Sequence, residues 1–378
     1  MFVEITNTPR DYAWGSRTAI AELLGREPSG GPEAELWLGT HPGSPARIVG
    51  EERTLAEAVD SPLPFLLKVL AAGAPLSLQA HPTPEQARAG FERENAAGVP
   101  ADAPFRNYKD AHHKPEIIFA LSPEFRALSG FRTVAETRSV LAPVGDDARI
   151  APLIERIGDD SALRDVFEWL ISRGDGVDDL IAAVVEASAV CEGPSWHTVR
   201  SLAEHYPGDP GIVISLLLHT VVLKRGEVLY LPAGNIHAYL EGLGIELMAA
   251  SDNVLRGGLT PKHIDVDELM TVLTPAPGPA PLVSAEEEGA GVWRYRTPAP
   301  DFSLRRADVT ADRDVSVAVP ETAILLGTTG SVTVQSGTEA VELTPGRSLL
   351  VTPEADGIAL RGSGTAYIAS TGGGVVAP

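Results

Sequence analysis

The spacing of hydrophobic positions changes twice along the chain, and each change predicts a different kind of segment. Residues 1–132 contain short apolar runs, such as 65–70 and 116–120, separated by Gly and Pro, a pattern typical of buried strands. In residues 133–210 apolar side chains recur at i, i+3 and i+4, which predicts amphipathic helices. The strand pattern returns in residues 211–273, which end in a short helical pattern. We therefore predict a mainly β fold with an all-α insert, and we find no motif with chemistry in the insert.

The last quarter of the chain has a strand pattern of its own. A Pro- and Ala-rich stretch at 274–288 marks a boundary, and short apolar runs with Gly and Pro turns follow at regular spacing. This pattern predicts a second, jelly-roll-like sandwich in residues 274–378. No histidine occurs after His263, so we predict a structural or interface domain without its own metal.

The segment after the insert contains a histidine behind a tight turn. Residues 226–237 have the spacing G-x5-P-x-G-x2-H, in which Pro232 fixes φ and Gly234 tolerates a positive φ. The spacing resembles the second motif of the cupin jelly rolls, in which the histidine points into the barrel and binds a metal. For His237 alone, a β-hairpin with a hydrogen-bonded histidine is the more common case.

A second motif makes the metal interpretation stronger. Residues 73–81 have the spacing G-x5-Q-x-H, which is the first cupin motif with glutamine in place of one histidine. Side chains two apart on a strand share a face, so Ser77, Gln79 and His81 project together. Because both metal-binding strands of one barrel are then present, residues 1–132 and 211–273 are predicted to be two parts of one catalytic cupin domain.

A carboxylate completes the candidate ligand set. Glu116 precedes an apolar run, where it needs a partner unless it is an edge residue facing water. The predicted donors are nitrogen and oxygen atoms without sulfur: Gln79, His81, Glu116 and His237. Such a set suits Zn²⁺ and also Fe²⁺, Mn²⁺ or Ni²⁺.

Composition limits the class of partner. A net charge of −21 argues against nucleic acid or an anionic membrane, and no apolar run approaches the roughly 20 residues of a membrane span. The N-terminal residues lack the pattern of a signal peptide, and a single cysteine, Cys191, fits a reducing cytoplasm. We expect a cytoplasmic enzyme that is a monomer.

Cationic side chains are concentrated near the candidate ligands. The chain has only five lysines, and Lys68, Lys114 and Lys262 lie in the same stretches as the metal motifs, together with Glu246 and Arg256. A divalent metal with several cations and one spare carboxylate points to a small oxygenated anion such as a sugar phosphate. The residues alone support a metal-assisted isomerase or oxygenase of such anions.

Four blocks carry a more specific resemblance. They are YAWGS, LPFLLKVLAAGAPLSLQAHP, NYKDAHHKPE and YLPAGNIHAYLEGLGIELMAASDNVLRGGLTPKHID. In this order they resemble the type I mannose-6-phosphate isomerases over residues 1 to about 270. The resemblance implies a double cupin (jelly-roll) core with a helical domain, one Zn²⁺ per chain, and interconversion of mannose 6-phosphate and fructose 6-phosphate through a cis-enediol, in supply of GDP-mannose.

The resemblance also assigns roles to residues of this sequence. It implies that the four candidate donors bind zinc, and that Arg256 is the active-site arginine. Lys114 and Glu246 fall on positions that line the same pocket and are candidates for proton transfer. Lys68, Ser77 and Lys262 are expected to bind substrate.

Three other functions remain to be weighed. A catalytically silent, regulatory sugar-phosphate-binding cupin predicts loss of Lys114, Glu246 or Arg256, yet all three are present. A cupin dioxygenase normally has H-x-H in its first motif, against which Gln79 speaks. A helix-rich scaffold protein leaves the candidate ligands unexplained.

Overall fold

Two antiparallel sheets contain all the named strands in the part of the chain that the computed structural model describes, residues 1–355 and 357–372. The first eleven strands are β1 Phe2–Thr6, β2 Glu35–Leu38, β3 Arg47–Ile48, β4 Phe65–Ala72, β5 Gln79–Ala80, β6 Glu116–Ala120, β7 Glu124–Phe131, β8 Leu218–Lys224, β9 Val228–Leu231, β10 His237–Ala249 and β11 Leu255–Arg256. The last eight are β12 Ala285–Gly289, β13 Val292–Tyr295, β14 Ser303–Val309, β15 Val315–Val317, β16 Ala323–Ser336, β17 Glu339–Leu343, β18 Ser348–Val351 and β19 Ile358–Ser370. The prediction of a mainly β fold is confirmed.

Strand β10 organises the nine-stranded sheet. Its first half pairs with β5 and β7, and its second half pairs with β4 and β6. A bulge between Tyr239 and Glu241, followed by Gly242 at φ +129°, bends the strand between the two halves. Both His237 and Glu246 therefore lie on β10, one in each half of this bent strand.

The strand predicted before His81 is shorter than expected. Only Gln79 and Ala80 form a strand, because the preceding backbone bonds to different neighbours. Leu76 N donates to Tyr239 O, whereas Leu78 N donates to Gly258 O. A regular ladder with one partner therefore cannot form.

The helices are mostly grouped between β7 and β8. Their bounds are α1 Ala19–Leu23, α2 Leu55–Ala58, α3 Pro84–Ala96, α4 Val134–Leu141, α5 Ala151–Arg156, α6 Leu163–Ile171, α7 Val177–Ser188, α8 Pro194–His205, α9 Gly211–Leu217 and α10 Val266–Val272. Thr83 caps α3 and Thr133 caps α4, each in a capping box with the residue three positions on. The apolar faces of α4–α9 share one core with Leu78, Ala80 and Leu255, so these helices pack directly behind the motif strand β5.

The ten-stranded sheet combines the two ends of the described chain. Strands β12–β19 form most of it, but β1 pairs with β18 on one side and with β3 on the other. The sheet is therefore not built from residues 274–378 alone. None of the helices in the described residues has the length and apolar composition needed to cross a membrane.

Candidate active site

Three buried side chains from three strands meet at one end of the nine-stranded sheet. Glu116 and His237 are the first residues of β6 and β10, and His81 directly follows β5. One donor atom from each lies within 4.8 Å of the other two. His81 Nε2 is 3.2 Å from Glu116 Oε1, and His237 Nε2 is 3.5 Å from Glu116 Oε2. The structure brings together three of the four predicted metal ligands, in a site where all three are at most 1% exposed.

Backbone carbonyls orient both imidazole rings toward this centre. His81 Nδ1 is 2.7 Å from Asn253 O, and His237 Nδ1 is 3.0 Å from Asn235 O. A carbonyl accepts only from N–H, so Nδ1 carries the proton and Nε2 presents its lone pair. Although Glu116 is close, His81 Nε2 makes no hydrogen bond and is a buried atom without a partner among the described residues. Burial lowers the pKa of His81 to about 4, which keeps the ring neutral.

Gln79 reaches the same centre from the neighbouring strand. It is paired with His237 across β5 and β10, and its Nε2 lies 3.3 Å from His237 Nε2. A 180° flip of the side-chain amide exchanges Nε2 and Oε1, and it places Oε1 where Nε2 now lies. The fourth predicted donor therefore has the reach to complete the set.

Glu116 is the anionic member of the centre. Burial alone would raise its pKa, but the charge of Lys114 holds the pKa of Glu116 well below the usual range. Lys114 Nζ is 2.9 Å from Glu116 Oε1. The predicted lysine therefore lies directly beside the candidate ligands.

A second charged group adjoins the first. Lys68 Nζ lies 2.8 Å from Glu246 Oε2 and 3.3 Å from Glu35 Oε1, and all three residues are buried. Burial disfavours the charged ammonium, but these carboxylates raise the pKa of Lys68 above its ordinary value. Glu246 Oε2 has no hydrogen-bond partner among the described residues, so we interpret its contact with Lys68 as an ion pair. Burial also raises the pKa of Glu246, against the opposing effect of Lys68.

Two further cations, Arg256 and Lys262, have no acidic partner among the described residues. Arg256 lies opposite Gln79 in the β5–β11 pair, and Lys262 follows in the next turn. Neither has a carboxylate within 4.0 Å among residues 1–355 and 357–372. Burial lowers the pKa of Lys262, and the charge of Arg256 lowers it further. The two cations line the same cavity.

All of these groups except the two most buried histidines line one cavity of about 450 Å³. Ser77, Gln79 and Glu116 lie on its wall, as do the cations of both groups. A larger cavity of about 930 Å³ lies beside the N-terminal strand β1, and none of the predicted site residues lines it. The charged and metal-binding side chains of the lining therefore identify the candidate site, whereas cavity volume does not.

Two groups at this site were missed from the sequence. Glu35 binds Lys68 and accepts a hydrogen bond of 2.9 Å from Trp37 Nε1. Tyr239 donates its hydroxyl to Glu116 Oε2 at 3.4 Å, and burial raises its pKa well above the usual value. Tyr239 lies two residues after His237 on β10, so the strand alternation that grouped Ser77 and Gln79 was a signal for it as well.

Comparisons with known proteins agree on one family. A sequence model described as the catalytic domain of type I phosphomannose isomerase matches residues 2–134. The mannose-6-phosphate isomerase of Escherichia coli K12 is 38% identical over 96% of this chain and 97% of its own length, and the human enzyme is 33% identical over 85% and 86%. A crystal structure of the Salmonella typhimurium mannose 6-phosphate isomerase with fructose 6-phosphate and zinc superposes with a TM-score of 0.91 at 35% identity, covering 98% and 99% of the two chains.

Proposed function

The chain belongs to the type I mannose-6-phosphate isomerases, and we propose that it interconverts D-mannose 6-phosphate and D-fructose 6-phosphate with one Zn²⁺ per chain. The proposal rests on the position of the His81, Glu116 and His237 donors. Glu116 lines one cavity together with Arg256 and Lys262, which have no acidic partner among the described residues. The first group suits a metal and the second an anion. A sugar phosphate with several hydroxyls needs both.

The donor atoms support zinc as the metal. His81 Nε2 is buried and lacks a hydrogen-bond partner among the described residues, which costs free energy unless an electrophile occupies its lone pair. We propose that Gln79, His81, Glu116 and His237 hold the ion, with Asn253 O orienting the His81 ring. When bound, zinc acts as a Lewis acid that polarises a sugar oxygen.

Arg256 and Lys262 determine the orientation of the substrate in the cavity. We assign the phosphate to Arg256, Lys262 and Ser77, because a guanidinium and an ammonium without acidic partners suit a dianion in a protein whose net charge is −21. The sugar C1 and C2 then extend toward Glu116 and Lys114. Lys68, which two carboxylates hold in its charged form, would donate hydrogen bonds to sugar hydroxyls rather than accept a proton.

The reaction moves two hydrogens and leaves the overall charge unchanged. A base removes the proton from C2 of the open-chain aldose, the C1 oxygen gains a proton, and a cis-enediol forms. Return of a proton to C1 and loss of the O2 proton give the ketose. Glu246 and Lys114 are our candidates for these transfers, since both line the cavity beside Glu116 and Glu246 has a raised pKa.

The architecture extends the same proposal. We propose a double cupin in which residues 1–132 and 211–273 contribute the strands of the catalytic jelly roll, although 211–217 form helix α9. Residues 133–210 form the helical insert, and 274–378 form the larger part of a metal-free jelly roll. The bend of β10, which gives each half of the strand different partners, supports this interpretation. We further propose a cytoplasmic monomer that acts on a small molecule and binds neither nucleic acid nor membrane.

Turnover of mannose 6-phosphate to fructose 6-phosphate, measured before chelation, after it and after zinc is restored, tests the function. We expect activity to disappear with the chelator and to return with one zinc per chain. Activity that does not respond to stripping would keep the isomerase and refute the role of the metal. Folded, zinc-loaded protein without turnover would favour a regulatory sugar-phosphate-binding cupin.

A further inference from the structure

One residue on the wall of the cavity has an unfavourable backbone conformation. Leu259 has φ +55° although it is not glycine, it is 1% exposed, and it lines the cavity between Arg256 and Lys262. The left-handed region is unfavourable for a residue with a Cβ and persists where surrounding groups hold it. The turn that carries Lys262 away from Arg256 therefore needs an external support.

The helical insert supplies that support through Asp209. Asp209 Oδ1 accepts hydrogen bonds from Leu259 N at 2.9 Å and from Gly211 N at 2.7 Å. The preceding residue, Gly258, has φ +121°, and a Cβ at this position would lie 3.1 Å from the same oxygen. A single carboxylate oxygen thus fills the inside of the turn at Gly258 and Leu259.

The turn is held from its other side by the motif strand. Gly257 N donates to Leu78 O at 2.8 Å, and Leu78 N donates to Gly258 O at 3.1 Å. A Cβ on Gly211 would lie 2.7 Å from the Leu259 side chain, so the glycine leaves room for that side chain. The turn is clamped between the extension of β5 and the residues that join α8 to α9.

We propose that Asp209 is a positioning residue for the phosphate end of the cavity. Its carboxylate fixes the left-handed conformation of Leu259, and through it the placement of Lys262 relative to Arg256. The inference rests on the proposed function, because it assigns Asp209 to the anion-binding cations of that same site. The helical insert then contributes to substrate binding without touching the substrate.

Steady-state kinetics of Asp209→Ala test the proposal. We expect KM for mannose 6-phosphate to rise about ten-fold, which corresponds to one lost hydrogen bond to a charged group, with a smaller change in kcat. Inhibition by inorganic phosphate should weaken by a similar factor, while zinc content stays at one per chain. Asp209→Asn keeps the acceptor oxygen and should remain within about three-fold of wild type.

Two further variants serve as a control and as a second perturbation of the same turn. Asp159→Ala is the matched control, because Asp159 also accepts from a backbone N–H in the insert, that of Ser161 at 2.9 Å, but on an exposed surface. Its KM should not change. Gly211→Ala pushes a methyl group against Leu259 and should raise KM as Asp209→Ala does, although alanine favours helix formation.

The outcomes separate this inference from the proposed function. Wild-type protein without turnover refutes the function and, with it, the inference. Active wild type with unchanged KM and phosphate inhibition in both Asp209→Ala and Gly211→Ala refutes the inference alone. An equal rise of KM in Asp159→Ala would refute it too, since the effect would then come from general loosening of the insert.

Discussion

Replacing Asn253 should damage the metal centre although its side chain touches none of the proposed ligands. The amide is fully buried and has five polar contacts with one loop. Oδ1 accepts from Lys109 N at 2.7 Å and Asp110 N at 3.3 Å, while Nδ2 donates to the carbonyls of Asp110 and His112, both at 2.8 Å. This loop leads directly into Lys114 and Glu116. The backbone carbonyl of Asn253 also orients His81.

The size of the effect follows from the bonds that alanine cannot make. Asn253→Ala leaves Lys109 N and the Asp110 carbonyl without the partners they have in the described structure, and His112 O keeps only the Ser251 hydroxyl at 3.1 Å. Two such losses cost about 2–3 kcal/mol of unfolding free energy. Because groups that orient ligands govern metal affinity, zinc should bind about 10–100-fold more weakly.

Asn253→Asp provides a sharper comparison. Aspartate has the same shape, but its second oxygen would face two carbonyl oxygens and a neighbouring carboxylate, Asp110. It should therefore destabilise the protein more than alanine does. Asn7→Ala is the control: Asn7 Nδ2 donates to the carbonyls of Trp37 and Ser44, so its loss should cost stability but not zinc affinity.

Urea unfolding and zinc competition with a chelator measure both effects. If Asn253→Ala unfolds within about 0.5 kcal/mol of wild type and retains zinc equally well, the reasoning about this loop is wrong. An Asn253→Asp variant more stable than Asn253→Ala would contradict the proposed orientation of the amide.

Two other substitutions test the charged groups. Arg256→Ala removes a charge-assisted contact of about 1.5–3 kcal/mol, so kcat/KM should fall at least about ten-fold. Arg149→Ala, at an exposed position, is the control and should leave kcat/KM unchanged. Wild-type turnover in Arg256→Ala would exclude the assigned role. Lys68→Met leaves two buried carboxylates unpaired and should cost about 3–5 kcal/mol at pH 7. Because the pKa of Lys68 is raised in the folded state, its stabilisation is complete below the ordinary value of 10.5 and is lost as pH rises through the raised value. The difference in unfolding free energy between wild type and Lys68→Met should therefore stay constant up to about pH 10 and become smaller above it. If this difference already becomes smaller between about pH 7 and 9, the pKa of Lys68 is not raised.

Local pattern was sufficient to predict three side chains that the structure brings together as a group able to hold a metal ion. His81, Glu116 and His237 each adjoin a strand that a short apolar run or a glycine-proline turn reveals, and their spacing is set within a few residues. The concentration of cations near the motifs pointed to Arg256 and Lys114, which line one cavity, and the family resemblance assigned roles to them. The roles of these residues remain predictions for the experiments above.

Contacts that depend on strand register were not predictable. Glu35 meets Lys68 because β2 pairs with β4 in a register that places Trp37 opposite Lys68. Arg256 meets Gln79 through β5 and β11, which have two residues each and leave almost no periodicity in the sequence. Asp209 and Leu259 are 50 positions apart, and their bond depends on how the insert packs.

The position of β1 sets an order of events during synthesis. Phe2 pairs with Val351, so the first strand made waits for one of the last before its sheet can close. At about 5–20 residues per second, the ribosome needs roughly 20–70 seconds to deliver that partner. During this interval the apolar residues of β1 have no strand on that side, and closing so long a loop is slow. The ten-stranded sheet is therefore expected to close late, after β18 has been synthesised, and chaperones that shield an unpaired strand would act before that stage.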